Sequence, residues 1–283
     1  MYLKILFYKI KRKLFKMTKQ DFSAMNNVIL KILKRRYNGI IDKYDDFSMD
    51  PKEVKYVWTM WLQGVENAPI IVKKSIESLK RNLPEEVELI ILDENNLYDY
   101  IEFPSYIIEK YKKGIITKTH FSDLVRIKLL KEYGGIWMDS TVYISMPISY
   151  NELNQLLFTI NEFDSQSIYV SKARWSGYLI GGRDLTLFNI LDELLMTYWK
   201  ENNKQLDYFL LDYFIMMVYE KNSFICQLVD SNYADTKILY LQQLLSLEQA
   251  KEEILQILTD KNNKFHKLSY KTMIYPEYLE LLV

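Results

Sequence analysis

SDLVRIKLLKEYGGIWMDST, residues 122–141, decides the fold. Leu124, Ile127, Leu130 and Tyr133 recur at helical spacing and give one apolar face. Ser122 can cap that helix, and Asp123 then falls in the first turn, where a carboxylate meets the positive end of the dipole. Asp123 and Arg126 stand three apart, so an acid and a base share one side of the helix. Gly134 and Gly135 stop the helix and permit a tight reversal. Ile136, Trp137 and Met138 then form a short buried strand that runs into Asp139, Ser140 and Thr141. A carboxylate thus emerges at the C-terminal edge of a strand, where open α/β sheets bind their ligands. Taken alone, Asp-Ser-Thr after a strand reads first as a turn in which Asp139 or Ser140 bonds backbone groups.

The surrounding elements favour the sheet-edge reading. KYVWTMWLQG (55–64) is a buried strand closed by Gly64, and Pro69 opens a helix with Ile76, Leu79 and Leu83 on one face. VELIIL (87–92) is a second strand ending at Asp93, and helices follow at about 105–113 and 122–132. Strands alternating with helices predict an α/β domain with a mainly parallel central sheet. The second half is more helical. SIYV (167–170) and SGYLIGG (176–182) read as strands, and residues 185–200 and 207–220 as helices. Ser246 and Gln249 form a capping box for a helix to about Leu258, and KFHKLSYKT (264–272) has an alternating look.

With 283 residues and 49% hydrophobic content, the chain can bury a substantial core, and eight Gly and six Pro leave no flexible linker. A single cysteine, Cys226, cannot make an intramolecular disulfide, which suits a reducing compartment. Two histidines and one cysteine make a structural zinc site improbable, so any metal would rest mostly on oxygen ligands. Net charge is zero, yet residues 1–43 hold twelve Lys or Arg against Asp21 and Asp42, leaving the remainder at −10. Residues 1–50 are read as a basic amphipathic helical arm and 51–283 as the main domain. MYLKILFYKIKRKLFKM suits an anionic membrane surface, with packing on the chain's own domain as the alternative. No uncharged run is long enough to span a bilayer, and an acidic main domain argues against nucleic acid.

WTMWLQG, FSDLVRIKLLKEYGGIWMDST, DYFLLDYF and HKLSYK, taken in order, resemble the capsular polysaccharide synthesis glycosyltransferases, which are related to DxD-motif sugar transferases that include the clostridial toxin catalytic domains. The resemblance runs from about Val57 to the C-terminus. It implies a GT-A fold, Rossmann-like and nucleotide-sugar-binding, with added helices, and a UDP-sugar donor with Mn²⁺ or Mg²⁺. It also implies a retained anomeric configuration and a capsular polysaccharide or lipid-linked oligosaccharide acceptor, with the enzyme cytoplasmic and peripheral on the inner membrane face. Trp61 matches the tryptophan that stacks on uracil, and Trp58 is then core. Asp123 and Arg126 match donor-contacting positions. Asp139 matches the first aspartate of DxD, with Ser140 beside it on the donor, but Thr141 stands where the second aspartate belongs. His266 is the candidate to complete the metal set, with Lys267 or Lys271 on phosphate. Asp207, at the expected helix start, is preferred over Asp212 as the acid near the sugar. Arg174, Trp175 and Arg183 are candidates for the acceptor side. Two other readings share these motifs: a protein-glycosylating effector, and a nucleotide-sugar-binding protein with little catalysis.

Overall fold

The computed structural model describes residues 2–44, 51–232 and 237–282. Among the described residues seven strands run in chain order as β1 Tyr56–Met60, β2 Glu88–Leu92, β3 Gly135–Met138, β4 Val142–Ile144, β5 Phe158–Thr159, β6 Leu179–Gly182 and β7 Phe265–Lys267. Five of them build the central sheet in the order β2-β1-β3-β6-β5, and β4 pairs with β7 in a small second sheet. The helices are α1 Tyr2–Leu14, α2 Lys19–Ile41, α3 Ile70–Asn82, α4 Leu97–Tyr100, α5 Ser105–Lys112, α6 Lys118–Tyr133, α7 Tyr150–Leu153, α8 Thr186–Glu201, α9 Leu210–Lys221, α10 Ser223–Asp230, α11 Tyr240–Leu244 and α12 Lys251–Leu258.

The architecture is mixed α/β, with β2, β1 and β3 parallel and β6 and β5 antiparallel to their neighbours. Helical crossovers between β1, β2 and β3 enforce the parallel part. After β3 the chain turns sharply, Val142 N donating to Asp139 O at 2.8 Å, and returns to the sheet from the opposite end.

Alternation along the strands sorts the core. Trp58 and Trp137, paired across β1 and β3, face α2, α6, α8 and α9. Val57, Ile136 and Met138 face the other way, toward β4, Leu79 and Phe265. Trp58 is fully buried, as expected, and its indole donates to Gly134 O at 2.9 Å. Gly135 is required where β3 begins: its φ is +87°, and a Cβ there would lie 2.4 Å from Tyr56 O.

Several elements differ from the sequence reading. The helix before the glycines begins at Lys118, because Thr117 accepts from His120 N and caps it; Asp123 therefore lies within the helix and Ser122 is not a cap. SIYV is not a strand but part of a turn-rich loop that ends with Lys172 and Ala173 at positive φ. Ser246 forms no capping box, since its hydroxyl donates to Gln242 O and Met273 O. Residues 1–43 divide in function. α2 is capped by a Thr18–Asp21 box and buries Met25, Ile29, Leu30, Ile32, Leu33, Tyr37 and Ile41 in the main core. At about 1.5 kcal/mol or more per side chain, that burial contributes on the order of 10 kcal/mol, so α2 belongs to the domain rather than to an arm. The 1–50 boundary itself ends in residues outside those described.

Candidate active site

α6 carries His120, Asp123 and Arg126 at spacings of three, on one buried stripe facing the end of β3. Trp199 Nε1 donates to His120 Nε2 at 2.9 Å, and an indole nitrogen can only donate. His120 Nε2 is therefore an acceptor, and its Nδ1–H donates to Asp123 Oδ2 at 3.1 Å. The other oxygen of Asp123 meets Arg126 NH1 at 3.4 Å, and Arg126 NH2 reaches Asp139 Oδ1 at 3.1 Å. The guanidinium lies over the Trp137 ring, 5.2 Å from its centroid, with its Nε unpartnered.

Asp139 is the hub. Its Oδ1 also accepts from Trp137 Nε1 at 2.7 Å, and its Oδ2 accepts from Lys267 Nζ at 2.9 Å. The same ammonium donates to Thr141 Oγ1 at 2.6 Å and sits 4.8 Å from the Tyr178 ring centroid. Burial alone would raise the Asp139 pKa, but Lys267 and Arg126 outweigh it and hold the carboxyl below its ordinary range. Lys267 arrives from β7, which pairs Lys267 with Val142 just beyond the β3 turn. Ser140 is buried between Asp139 and Thr141.

Asp212, in the first turn of α9, faces the same group. Its Oδ1 accepts from Trp175 Nε1 at 2.9 Å. Two residues on, Gly177 leaves room for Arg126: a Cβ there would lie 3.2 Å from NH1. Burial pushes the Asp212 carboxyl up to about 6; Trp175 opposes this, Asp123 adds to it and Arg126 opposes it. Trp61 continues β1 through its N–H to Leu92 O and leaves the sheet at the same edge as Asp139. Its ring stands edge-on to Tyr270, 5.4 Å between centroids, and its Nε1 is unpartnered.

Of the residues expected from sequence, Asp123, Arg126, Asp139, Thr141 and Lys267 are brought together, with Ser140 between them and Trp61 at the same edge. His266 is not: strand alternation turns it away from Lys267, into contact with Ser145 Oγ at 3.1 Å and the Tyr143 ring. Burial lowers its pKa to about 4. Asp207 is also elsewhere: it accepts from Phe209 N at 3.1 Å and lies 3.9 Å from Arg12 of α1. Asp212 occupies the position expected of Asp207. His120, Tyr178 and Tyr270 had no role in the sequence reading, and Trp175, expected on the acceptor side, instead donates to Asp212. Of these, only the i, i+3 spacing of His120 to Asp123 was a usable signal.

The donor set does not fit a divalent cation. Asp139 is the sole carboxylate at the DxT turn; its Oδ1 is saturated by two donors, and Lys267 occupies the space between Oδ2 and Thr141. A dication would meet an ammonium where it needs oxygen ligands. Among the described residues no group of three or more His, Cys, Asp or Glu side chains converges on one point.

Parallel strands ending at a partly buried cluster of interlocked acids and bases define an α/β enzyme with its site at the strand ends. The chain belongs to the capsular polysaccharide synthesis protein family, which it matches over residues 9–277. It is 32% identical over 98 residues to the O-glycosyltransferase braB of Annulohypoxylon truncatum, a match covering 32% of this chain and 23% of that one. It is 33% identical over 93 residues to the O-glycosyltransferase PaGT of Phomopsis amygdali, covering 30% and 23%. These matches thus span about a quarter of the relatives' lengths. Among solved structures, the PaToxG glycosyltransferase is similar at 16% identity and a TM-score of 0.41, covering 92% of this chain and 94% of that one. Apo GlyE of Streptococcus pneumoniae TIGR4 is similar at 9% identity and a TM-score of 0.42, covering 81% and 59%.

Proposed function

We propose that this chain is a glycosyltransferase of the GT-A kind that moves a sugar from a nucleotide-sugar donor, a UDP-sugar, to a capsular or other cell-surface polysaccharide precursor. The observation that carries the reading is the clasp of Arg126 and Lys267 on Asp139 at the end of β3. Two cations held at one point suit a diphosphate, which accepts charge-assisted hydrogen bonds from both. Asp139 orients them; Asp123, locked by His120, accepts hydrogen bonds from sugar hydroxyls. Trp61 and Tyr270 offer aromatic faces to the base.

In the reaction the bond between the sugar C1 and the diphosphate oxygen breaks as the acceptor hydroxyl oxygen bonds to C1, and the hydroxyl proton passes to the departing diphosphate. Negative charge builds on the departing diphosphate, where Arg126 and Lys267 meet it, and positive charge builds at C1, where Asp212 opposes it as a carboxylate. The resemblance to retaining transferases supports retention at C1. The ammonium of Lys267 supplies the cationic charge that a metal ion provides elsewhere, so turnover proceeds in EDTA. The family's description supports a capsular polysaccharide precursor as the acceptor.

The test is UDP release from a panel of UDP-sugars, with and without EDTA, using wild type and Asp139→Ala. Unchanged turnover in Asp139→Ala refutes the site, and abolition by EDTA that Mn²⁺ restores refutes the role of Lys267. Tight donor binding without turnover on any acceptor points instead to a nucleotide-sugar-binding protein, and transfer to host proteins to an effector.

A further inference from the structure

α1 is folded but its apolar side faces away from the protein. Leu3, Leu6, Phe7, Ile10 and Leu14 are 48% to 81% exposed, and at about 100° per residue they fall within one stripe roughly 100° wide. The opposite side fastens the helix to the body. Ile5 is buried there, Tyr8 packs against the core, Lys9 Nζ donates to Leu206 O and Arg12 approaches Asp207. Lys11 holds Asp21 of α2 at 2.7 Å. Lys4 and Lys13, both exposed, flank the apolar stripe on its two sides. A groove of about 440 Å³ opens beside Leu3 and Leu6, with Lys9, Arg36 and Lys204 among its lining residues and Leu33 and Leu206 along its wall.

We propose that α1 lies in the interface of a bilayer rich in anionic lipid and holds the candidate site close to it. The charge distribution chooses this occupant over a second copy of the chain. The first 43 residues carry a net charge of +10, whereas the rest carries −10 and is repelled by an anionic surface. An apolar stripe flanked by lysines is the pattern that seats a helix at the headgroup boundary. Arg12 approaches Asp207, and Asp207, five residues from Asp212, lies at most roughly 18 Å along the chain from it. The site is therefore within reach of acceptors held at the membrane; that clause alone rests on the transferase reading.

The experiment is co-sedimentation of the full chain with vesicles of phosphatidylcholine, with and without phosphatidylglycerol. Wild type pellets with the anionic vesicles and is released by high salt. Leu6→Ser with Phe7→Ser, at two exposed positions, loses at least tenfold in partition. Lys4→Gln with Lys13→Gln loses about fivefold per lysine, on anionic vesicles only. Circular dichroism and donor turnover in solution, unchanged in both variants, show that the fold and site are intact, so failure of docking is read separately from failure of the transferase. Wild type remaining in the supernatant, or pelleting equally after Leu6→Ser with Phe7→Ser, overturns the proposal. Concentration-dependent dimerisation that the same pair abolishes also overturns it, in favour of a second copy.

Discussion

Replacing Asp212 by asparagine makes the protein more stable and less active together. The Asp212 carboxyl is pushed up to about 6 by burial, and Asp123 adds to that shift, while Trp175 and Arg126 resist it. In the unfolded chain the same group titrates near 4. The folded state therefore holds the proton more tightly, so no ionisation penalty exists below pH 4. The penalty grows between pH 4 and 6 and is complete above 6. A shift of about two units corresponds to about 3 kcal/mol. Asparagine keeps the shape and an oxygen for Trp175 Nε1 but never ionises. Asp212→Asn should thus match wild type near pH 4 and exceed it by about 3 kcal/mol above pH 7. For a chain of this size that is roughly 5–10 °C in Tm. Thermal unfolding of both proteins between pH 4 and 8 measures it. A stability difference that does not change with pH, or a loss at pH 8, refutes the reasoning. Transfer by the variant falls by about 100-fold, the scale of losing one preorganised charge at the reacting centre, and wild-type activity falls as pH drops through 6.

Three further outcomes separate site from scaffold. Trp61→Ala should raise the donor KM about tenfold with little change in kcat, since a stacked base contributes about 1–3 kcal/mol; titration with UDP checks it. His120→Phe leaves both Trp199 Nε1 and one oxygen of Asp123 without a partner, which costs about 1–3 kcal/mol in stability and lowers kcat/KM at least tenfold; denaturant unfolding and donor kinetics read the two effects. Asp207→Ala removes the bond to Phe209 N and the contact with Arg12, costing about 1 kcal/mol while leaving donor turnover in solution near wild type.

Local pattern was enough to read the core of the site, and tertiary geometry decided the rest. The helix, glycine turn and strand from Leu124 to Asp139 were legible because each signal is contained in a few residues. Ser122 was a plausible cap, but Thr117 also stands before a helical run and the apolar side continues back to Phe121. SIYV has strand-forming residues, yet it joins no strand of the sheet and lies in a turn-rich stretch. Between Asp207 and Asp212 the sequence had no means of choosing: one accepts from Phe209 N in the turn before α9 and meets Arg12, and the other meets Trp175 of the loop that leads into β6. The division between His266 and Lys267 was legible in principle, because adjacent strand residues face opposite sides.

Asp139 joins parts of the chain that are far apart in sequence. Arg126 reaches it from α6 and Lys267 from a three-residue strand 128 positions later. The β4–β7 ladder, three pairs continued by Ser145 N to Lys264 O and Leu268 N to Thr141 O, is what carries Lys267 to Asp139, so opening of the C-terminal layer withdraws one of the two cations from the site. Site assembly and closure of that layer are then a single event. A dianion held between Arg126 and Lys267 pulls the ladder shut, and amide exchange at residues 265–267 slows in proportion to donor occupancy.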